Sequence, residues 1–391
     1  MGKNEDSLEK LKAEYPGLAP GHIRLMKFYS NPALAGPRIT PELAALVRHL
    51  FTDEEAEVAQ HLEIGRGRDA SFVAGKVHRP LEEVARILSR LADEKRALLS
   101  LEPDNKPRNY RLMPLMPGTF EMVLMEGKED EWHKEFGRLY DILYNTGYIK
   151  EVLNVPVPFA RFIPVEQTIE ATPMAIPSDR LAEMIMSTKS LALGVCVCRQ
   201  ARNWEGHDKD LPRETCLTLG TLAEFMITRG IMRRTDQSEA IEIKRRANEA
   251  GLATLSINVN FDNPNFSCSC CGDCCVALRS LTQFNTPGIV APPHFLPVRE
   301  AKTCTQCEKC IKRCPTKAHV LSDKKWIFKK ERCIGCGLCA STCPTGSMTM
   351  QPVKNYRRPP ADYLRFGLNL GRHIFPGYLK YVLREKKLTF R

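Results

Sequence analysis

From Thr40 onward the apolar positions recur at helical spacing. Leu43, Leu46, Val47, Leu50 and Phe51 make one stripe, and Thr52 with Glu55 then forms a capping box that opens a second helix through Ala56, Val58, Ala59 and Leu62. A third, short helix covers Ala70 to Val77 and stops at Arg79-Pro80; Leu81, Val84, Leu88 and Leu91 mark a fourth. Ala97 to Leu101, a turn at Pro103-Asp104-Asn105, and Tyr110 to Met113 read as strand, turn and strand. Upstream, Pro16, Pro20, Pro32 and Pro37 interrupt any continuous helix, so residues 1–38 read as an N-terminal arm.

Further along, Trp132, Phe136, Leu139, Leu143 and Ile149 predict a helix from Glu129 to Leu153. An extended Arg161 to Glu166 follows, then a helix near Ser178 to Ser187 with Ser178-Asp179 as its cap. Beyond Cys216, Leu217 to Thr228 and Ser238 to Ala250 read as helices and Leu252 to Val259 as a strand. This alternation predicts a small α+β module within residues 117–295.

Residues 39–116 resemble a winged-helix domain. Such domains often read DNA with the helix that here runs from Leu81 to Lys95, but that helix sets Glu82, Glu83, Asp93 and Glu94 against Arg86, Arg90 and Lys95. From Thr40 to Leu115 there are twelve basic and thirteen acidic residues. Phosphate binding needs the opposite balance, which argues against a nucleic-acid partner and for a structural or partner-docking role.

Composition is that of a globular protein: 391 residues, 43% hydrophobic and 26% charged. The formal charge is +11, and the stretch from Gln351 to Arg391 holds ten Lys/Arg against two acids. The excess charge is therefore local. In this tail, residues 354–391, Tyr356, Tyr363, Phe366, Phe375, Tyr378 and Tyr381 interleave with the bases. Ordinary packing with snorkelling bases accounts for that pattern, and docking of a redox partner is its leading functional use. A membrane surface has no further support, and the oligomeric state is not readable. A charged start with no apolar h-region after it, and no run of eighteen apolar residues, give a cytoplasmic expectation.

All sixteen cysteines fall between Cys196 and Cys343. In a reducing cytosol they are thiolate ligands rather than disulfides, and such density favours an anaerobic host. Cys304, Cys307, Cys310 and Cys314-Pro315 follow C-x2-C-x2-C-x3-C-P, and Cys333, Cys336, Cys339 and Cys343-Pro344 repeat it at an offset of 29. Zinc ribbons also pair C-x2-C, but zinc takes only four ligands and explains neither the third cysteine nor the proline.

Residues 296–353 resemble the bacterial-type two-cluster ferredoxin fold, with no departure in the ligand pattern. The resemblance implies two [4Fe-4S] clusters, with the fourth cysteine of each motif serving the other cluster. One would use Cys304, Cys307, Cys310 and Cys343, the other Cys333, Cys336, Cys339 and Cys314. Gly335 and Gly337 would let the second loop pass close to its cluster, where the first loop has Gln306 and Glu308.

Eight thiols remain as candidate metal ligands: Cys196, Cys198, Cys216, Cys268, Cys270, Cys271, Cys274 and Cys275. Five of them crowd into Cys268-Ser-Cys-Cys-Gly-Asp-Cys-Cys275, a density read as neither helix face nor strand, with Gly272-Asp273 as a tight turn. Cys196 and Cys198 are expected on one side of an extended chain, and Cys216 at the start of the helix from Leu217, where a helix N-terminus would favour a thiolate. A third iron–sulfur centre is the leading account, with Cys196, Cys216, Cys271 and Cys274 as its first-choice ligands; zinc and redox-active or buried thiols are the others. Arg199 and His207 are the nearby charged or ligating side chains, for which solvent exposure or an ordinary ion pair is the plainer reading.

The whole layout is similar to uncharacterised iron–sulfur proteins of anaerobic bacteria and archaea. The expectation is an α+β, multidomain protein: a winged-helix-like domain, a cysteine-rich middle domain, a dicluster ferredoxin domain and the basic tail. Its expected function is to relay low-potential single electrons between a redox partner and a third centre. The alternatives are a reductase acting at the middle centre, helped by Arg199 or His207, and a redox-sensing regulator. No dinucleotide fingerprint or P-loop is present.

Overall fold

The computed structural model describes residues 11–102, 106–152, 158–170, 172, 174–176, 179–207, 210–260, 265–286, 290–323, 325–362, 364–369 and 371–372. The chain divides into two compact units, one up to Val152 and one from Leu153 to Gly371. Residues 117–152, grouped above with the middle domain, fall in the first. Segregated helices and antiparallel strands make an α+β protein.

In the first unit, residues 20–29, expected within an N-terminal arm, instead form α1 (Pro20–Tyr29) with Ile23, Leu25 and Met26 buried, while α2 (Pro41–Leu50) and α3 (Asp53–Ala59) bury the stripe read from sequence, with Leu43, Leu46, Val47 and Leu50 inaccessible. The capping box forms: Thr52 Oγ1 accepts from the Glu55 amide, and the Glu55 carboxylate accepts from the Thr52 amide. A short β1 (Arg68–Asp69) leads into α4 (Ala70–Val77), capped by Asp69 and closed by His78 in the left-handed region. Next come α5 (Leu81–Ser89), prolonged by a π-type turn to Glu94, then β2 (Leu99–Leu101) and β3 (Asn109–Arg111). The three strands pair in the order β1-β3-β2. The turn at 103–105 lies outside the described residues.

The unit closes with α6 (Phe120–Leu124), α7 (Glu131–Asn145) and α8 (Ile149–Val152). The single helix expected over 129–153 breaks because Gly147 takes φ 80° after Thr146.

The second unit is built on a six-stranded antiparallel sheet: β4 (Ala160–Ile163), β5 (Leu191–Val195), β6 (Glu214–Leu219), β7 (Arg233–Thr235), β8 (Ala253–Ile257) and β9 (Phe266–Cys270), in the order β4-β8-β9-β6-β5-β7. Between them lie α9 (Leu181–Ser187), α10 (Val197–Trp204), α11 (Thr221–Thr228) and α12 (Gln237–Glu249). Period-two alternation sorts the strand residues onto two faces. Leu191, Leu193, Leu217 and Leu219 pack against Leu181 and Ile185 of α9 and Ala240 of α12. Phe162, Leu255, Cys268 and Cys270 point the other way, onto Leu278 and Leu281 of α13 (Val276–Thr282).

Three expectations change here. The helix expected from Leu217 starts at Thr221, because the chain stays extended to Leu219 and turns at Gly220, φ 64°, so Cys216 is a strand residue. The stretch Phe266–Cys270, read as no strand, is a central one, since its serines and cysteines alternate between the two faces. Asp179 does not cap α9; Ser178 lies outside the described residues, and the Asp179 carboxylate accepts from Arg161, His294 Nδ1 and the Ile176 amide.

The chain then runs through β10 (Phe295–Arg299), α14 (Lys309–Arg313), the hairpin β11 (His319–Ser322) and β12 (Lys325–Phe328), α15 (Leu338–Ser341) and β13 (Met348–Pro352), which returns to pair with β10. In the tail, Tyr356 stacks on His294 with ring centroids 4.0 Å apart, and Phe366 is buried with Ile257 and Val259. These aromatics pack on the unit's own core. Tyr363, Phe375, Tyr378 and Tyr381 lie outside the described residues.

Candidate metal centres

The two cysteine motifs fold as copies of one another. In each, two cysteines sit in a loop, the third lies on a one-turn helix (Cys310 on α14, Cys339 on α15) and the fourth follows that helix. Both loops use left-handed residues at matching places: Gln306 (φ 54°) and Glu308 (φ 59°) in the first, Gly335 (φ 69°) and Gly337 (φ 75°) in the second. The reason for glycine in one loop alone is packing. A Cβ at Gly335 would stand 2.6 Å from the Phe295 oxygen, and one at Gly337 would stand 2.7 Å from Thr168 Oγ1, whereas Gln306 and Glu308 are exposed.

Cys304, Cys307, Cys310 and Cys343 line one cavity of about 400 Å³. Cys314, Cys333, Cys336 and Cys339 line another. The fourth cysteine of each motif therefore faces the cavity of the other. The first cavity opens to solvent, with Cys307 exposed, while Cys336 and Cys339 of the second are buried. Burial pushes the Cys333 thiol up to about 12. At Cys343 burial also raises the thiol, but hydrogen bonds from Ser347 and the Met348 amide outweigh it and bring it down to about 7. Two four-cysteine cavities with backbone amides at sulfur, such as Ala318 N at 3.2 Å from Cys314 Sγ, fit iron–sulfur clusters.

Residues 297–350 match the 4Fe-4S dicluster domain model. An uncharacterized ferredoxin of Methanocaldococcus jannaschii is 32% identical over 22% of this chain and 52% of its own length, and a second from that organism is 49% identical over 12% and 31%. Pyruvate synthase subunit PorD of Methanothermobacter marburgensis is 33% identical over 15% of this chain and 70% of its own length. Through these residues the chain belongs to the 4Fe-4S dicluster ferredoxin family. The chain spans about half the length of the first of these relatives and under a third of the second.

The other eight cysteines gather on the ferredoxin-facing side of the six-stranded sheet and the loop after it. Cys268 and Cys270 project from β9 on the same side, and the β6–β9 register sets Cys216 opposite Cys268, with a thiol hydrogen bond between them. Cys275, at the start of α13, lies with its sulfur 3.2 Å from that of Cys270 and also bonds Cys198. Cys196 and Cys198 are not on an extended chain: Cys196 caps α10 and Cys198 is in its first turn, because the strand bulges between Gly194 and Val195 and then coils. Cys271 and Cys274 bring their sulfurs together across the Gly272-Asp273 turn, packed on Ala247 and Leu252, with the Asp273 carboxylate close by. Cys216 is thus linked to Cys268, and Cys198 and Cys270 to Cys275, whereas Cys271 and Cys274 of the first-choice set group with Asp273.

Two buried cations attend these thiols. Arg199 is 1% exposed and is the largest fully buried side chain among the described residues. It donates to the Pro212 oxygen, to Thr215 Oγ1 at 3.3 Å and to the Ser269 oxygen at 2.7 Å. The plainer reading of solvent exposure is corrected at Arg199; His207 stays exposed against Arg202. Lys244, missed from sequence, donates Nζ to the Thr215 and Ser267 oxygens and to Ser269 Oγ at 2.7–3.1 Å. Its signal was present: Ala240, Lys244 and Ala247 share the buried stripe of α12.

Burial pushes the Cys196 thiol up to about 11, against the pull of Arg199. At Cys270 a hydrogen bond with Cys275 lowers the thiol, but burial together with the nearby thiols of Cys268, Cys196 and Cys198 outweighs it and the value again rises to about 11. Burial conversely lowers Lys244, and the thiols of Cys268 and Cys216 push it back up. Burial thus holds these thiols in their neutral form unless a cation compensates.

The second ferredoxin cavity and this cysteine face share one core. Cys270, Cys275, Ile334, Cys336 and Leu338 belong to the same buried cluster. Val165 N donates to the Cys336 oxygen at 3.0 Å. No helix among the described residues is long and apolar enough to cross a membrane.

Proposed function

We propose that this protein is an iron–sulfur electron carrier that passes single electrons between a redox partner at its exposed cysteine cavity and a third metal centre on the cysteine-bearing sheet face. In this reading Cys304, Cys307, Cys310 and Cys343 hold one [4Fe-4S] cluster and Cys333, Cys336, Cys339 and Cys314 the other. Ligands of the third centre come from Cys196, Cys198, Cys216, Cys268, Cys270 and Cys275, with Cys271 and Cys274 beside them. When bound, such clusters supply reversible one-electron storage. The residues do the rest: Cys307 gives access from solvent, the buried Cys336 side gives contact with the middle thiols, and Arg199 and Lys244 offset negative charge there.

The observation that carries this reading is the shared core of Cys336 with Cys270 and Cys275, which supports a continuous path from exposed to buried thiols. The relatedness to PorD, named as a subunit of pyruvate synthase, supports a partner that is itself a redox enzyme. Residues 39–116 serve as a winged-helix module for structure or docking. Its bases are engaged internally, Arg79 with Glu54, Glu57 and Glu83, and Arg90 and Lys95 with Glu55, which supports a role other than phosphate binding.

Anaerobic purification with iron, zinc and acid-labile sulfide counts tests the proposal. About twelve irons per chain is the expected result, for three cubes of four. About eight would remove the third centre, zinc in its place would make that centre structural, and sulfide near zero would end the electron-transfer reading.

A further inference from the structure

The rim of the exposed cysteine cavity is basic and carries its own apolar contact. Residues 296–353 hold eleven Lys/Arg and four Asp/Glu. Two loaded clusters, at about −2 each with their thiolates, still leave this domain at about +3. Arg299, Lys309 and Lys325 line the cavity beside a lone acid, Glu308. Lys302, Lys309 and Lys325 are exposed, and among the described residues none of these three side chains pairs with a carboxylate. Leu321, 45% exposed, lines the same cavity across β11–β12 from Trp326. An apolar contact ringed by uncompensated lysines, next to the exposed Cys307, has the make-up of a transient docking patch for an acidic surface.

We propose that this face docks a small acidic electron-carrier protein, which exchanges electrons with the chain at the Cys307 edge. The inference rests on the iron–sulfur reading above and adds the partner's chemistry. In the step itself one electron leaves the reduced carrier and reduces this chain; the carrier is oxidised by one electron, and no bond or proton is transferred. A single-stranded nucleic acid would also be drawn to lysines, but it stacks its bases on aromatic faces. Trp326 has the Arg299 guanidinium 4.8 Å above its ring and His319 and Phe328 stacked beside it, so this patch offers no free platform.

The test uses the full chain, anaerobically loaded and with iron and sulfide counted, mixed by stopped flow with a reduced acidic two-cluster ferredoxin as probe. Lys309→Glu with Lys325→Glu is expected to slow electron transfer at low salt by tenfold or more and to flatten its salt dependence. Lys302→Glu alone is expected to slow it about threefold. Lys189→Glu, the same charge change at an exposed site outside the ferredoxin domain, is expected to change it less than twofold. Photoreduction by deazaflavin, which needs no docking, is expected to proceed equally in all of them. Equal rates with the ferredoxin probe for wild type and the double variant would overturn the proposal, as would displacement of the probe by an equimolar duplex oligonucleotide. Failure of the underlying reading shows separately, as absent iron and sulfide before any mixing, and removes the docking proposal with it.

Discussion

Gly272 and Pro315 approach so closely that a methyl group on the Gly272 Cα would collide with the Pro315 carbonyl oxygen. Gly272 is the turn between Cys271 and Cys274, and Pro315 follows Cys314, so the contact ties the middle thiols to the second ferredoxin cavity. Backbone on both sides cannot yield as a side chain would. Gly272→Ala is therefore expected to push the loops apart at a cost of about 1–3 kcal/mol, read as a lower unfolding midpoint. Gly65→Ala, where a Cβ meets nothing within 4 Å, is the matched control. A midpoint unchanged in both would mean that the close approach carries no stability.

The crossed placement of the fourth cysteines gives a second expectation. Cys314→Ser is expected to deplete the centre enclosed by Cys333, Cys336 and Cys339, and Cys343→Ser the one at Cys304, Cys307 and Cys310. Anaerobic electron paramagnetic resonance separates them, since only the second cavity sits deep enough to resist an added aqueous relaxation agent. Loss of the exposed signal in Cys314→Ser would reverse the assignment.

The buried triad Arg161–Asp179–His294 ties β4 to the segment before β10. Burial alone would raise the Asp179 carboxyl, but the His294 hydrogen bond and the Arg161 charge outweigh it and hold it below the ordinary carboxylate range. A depressed acid contributes stability above its unfolded value and loses it as pH falls through the lower folded one. Asp179→Asn leaves the 3%-exposed Arg161 without its counter-charge, at an expected cost of about 3–5 kcal/mol at neutral pH that shrinks on acidification. Denaturant titration at pH 7 and below pH 3 checks both; an equal loss at the two values would point to packing rather than charge.

What the sequence made legible follows from how local each cause is. The helices around Leu43, Val58 and Val84 and the Thr52–Glu55 box are set by side chains within a turn or two of one another, and they form where expected. The duplicated cysteine motif was readable for the same reason. The middle site was not. Cys216 and Cys268 meet only through strand pairing, Arg199 reaches Ser269 across seventy residues, and Lys244 arrives from α12. Contacts of that range leave no spacing to read. The Gly335 and Gly337 preference was visible, but its cause, contact with Phe295 and Thr168, depends on tertiary packing.

In the first unit, Glu121 sets a pH dependence. Its carboxyl group is sunk where burial pushes it up to about 7 from 4.5, although the Gly118 amide donates to it at 2.7 Å. A raised acid gives stability that is complete below its unfolded value and is lost as pH climbs to the folded one. Local stability around α6 is thus expected to fall between about pH 4.5 and pH 7, by an amount on the order of 1–3 kcal/mol given the part-exposed stem. Glu121→Gln keeps an acceptor for Gly118 and removes the titration. Amide hydrogen exchange over residues 120–124 at pH 5 and pH 8, corrected for intrinsic rates, is the measurement; the same pH profile in both proteins would exclude Glu121 as its source.

Lys244 offers the sharpest test of the proposed middle centre. Its ammonium touches three acceptors next to Cys216, Cys268 and Cys270, and each electron added to a cluster there is stabilised by that positive charge. Lys244→Met keeps most of the length but removes the charge, so the midpoint potential of the middle centre is expected to move to more negative values. It also orphans buried acceptors, costing about 1–3 kcal/mol. Lys244→Arg separates the two effects, because it strains the packing while retaining the charge and should leave the potential close to that of the wild type. A potential unmoved in Lys244→Met, with iron content intact, would place the redox centre away from these thiols. A shift shared by both variants would assign it to distortion of the sheet rather than to charge.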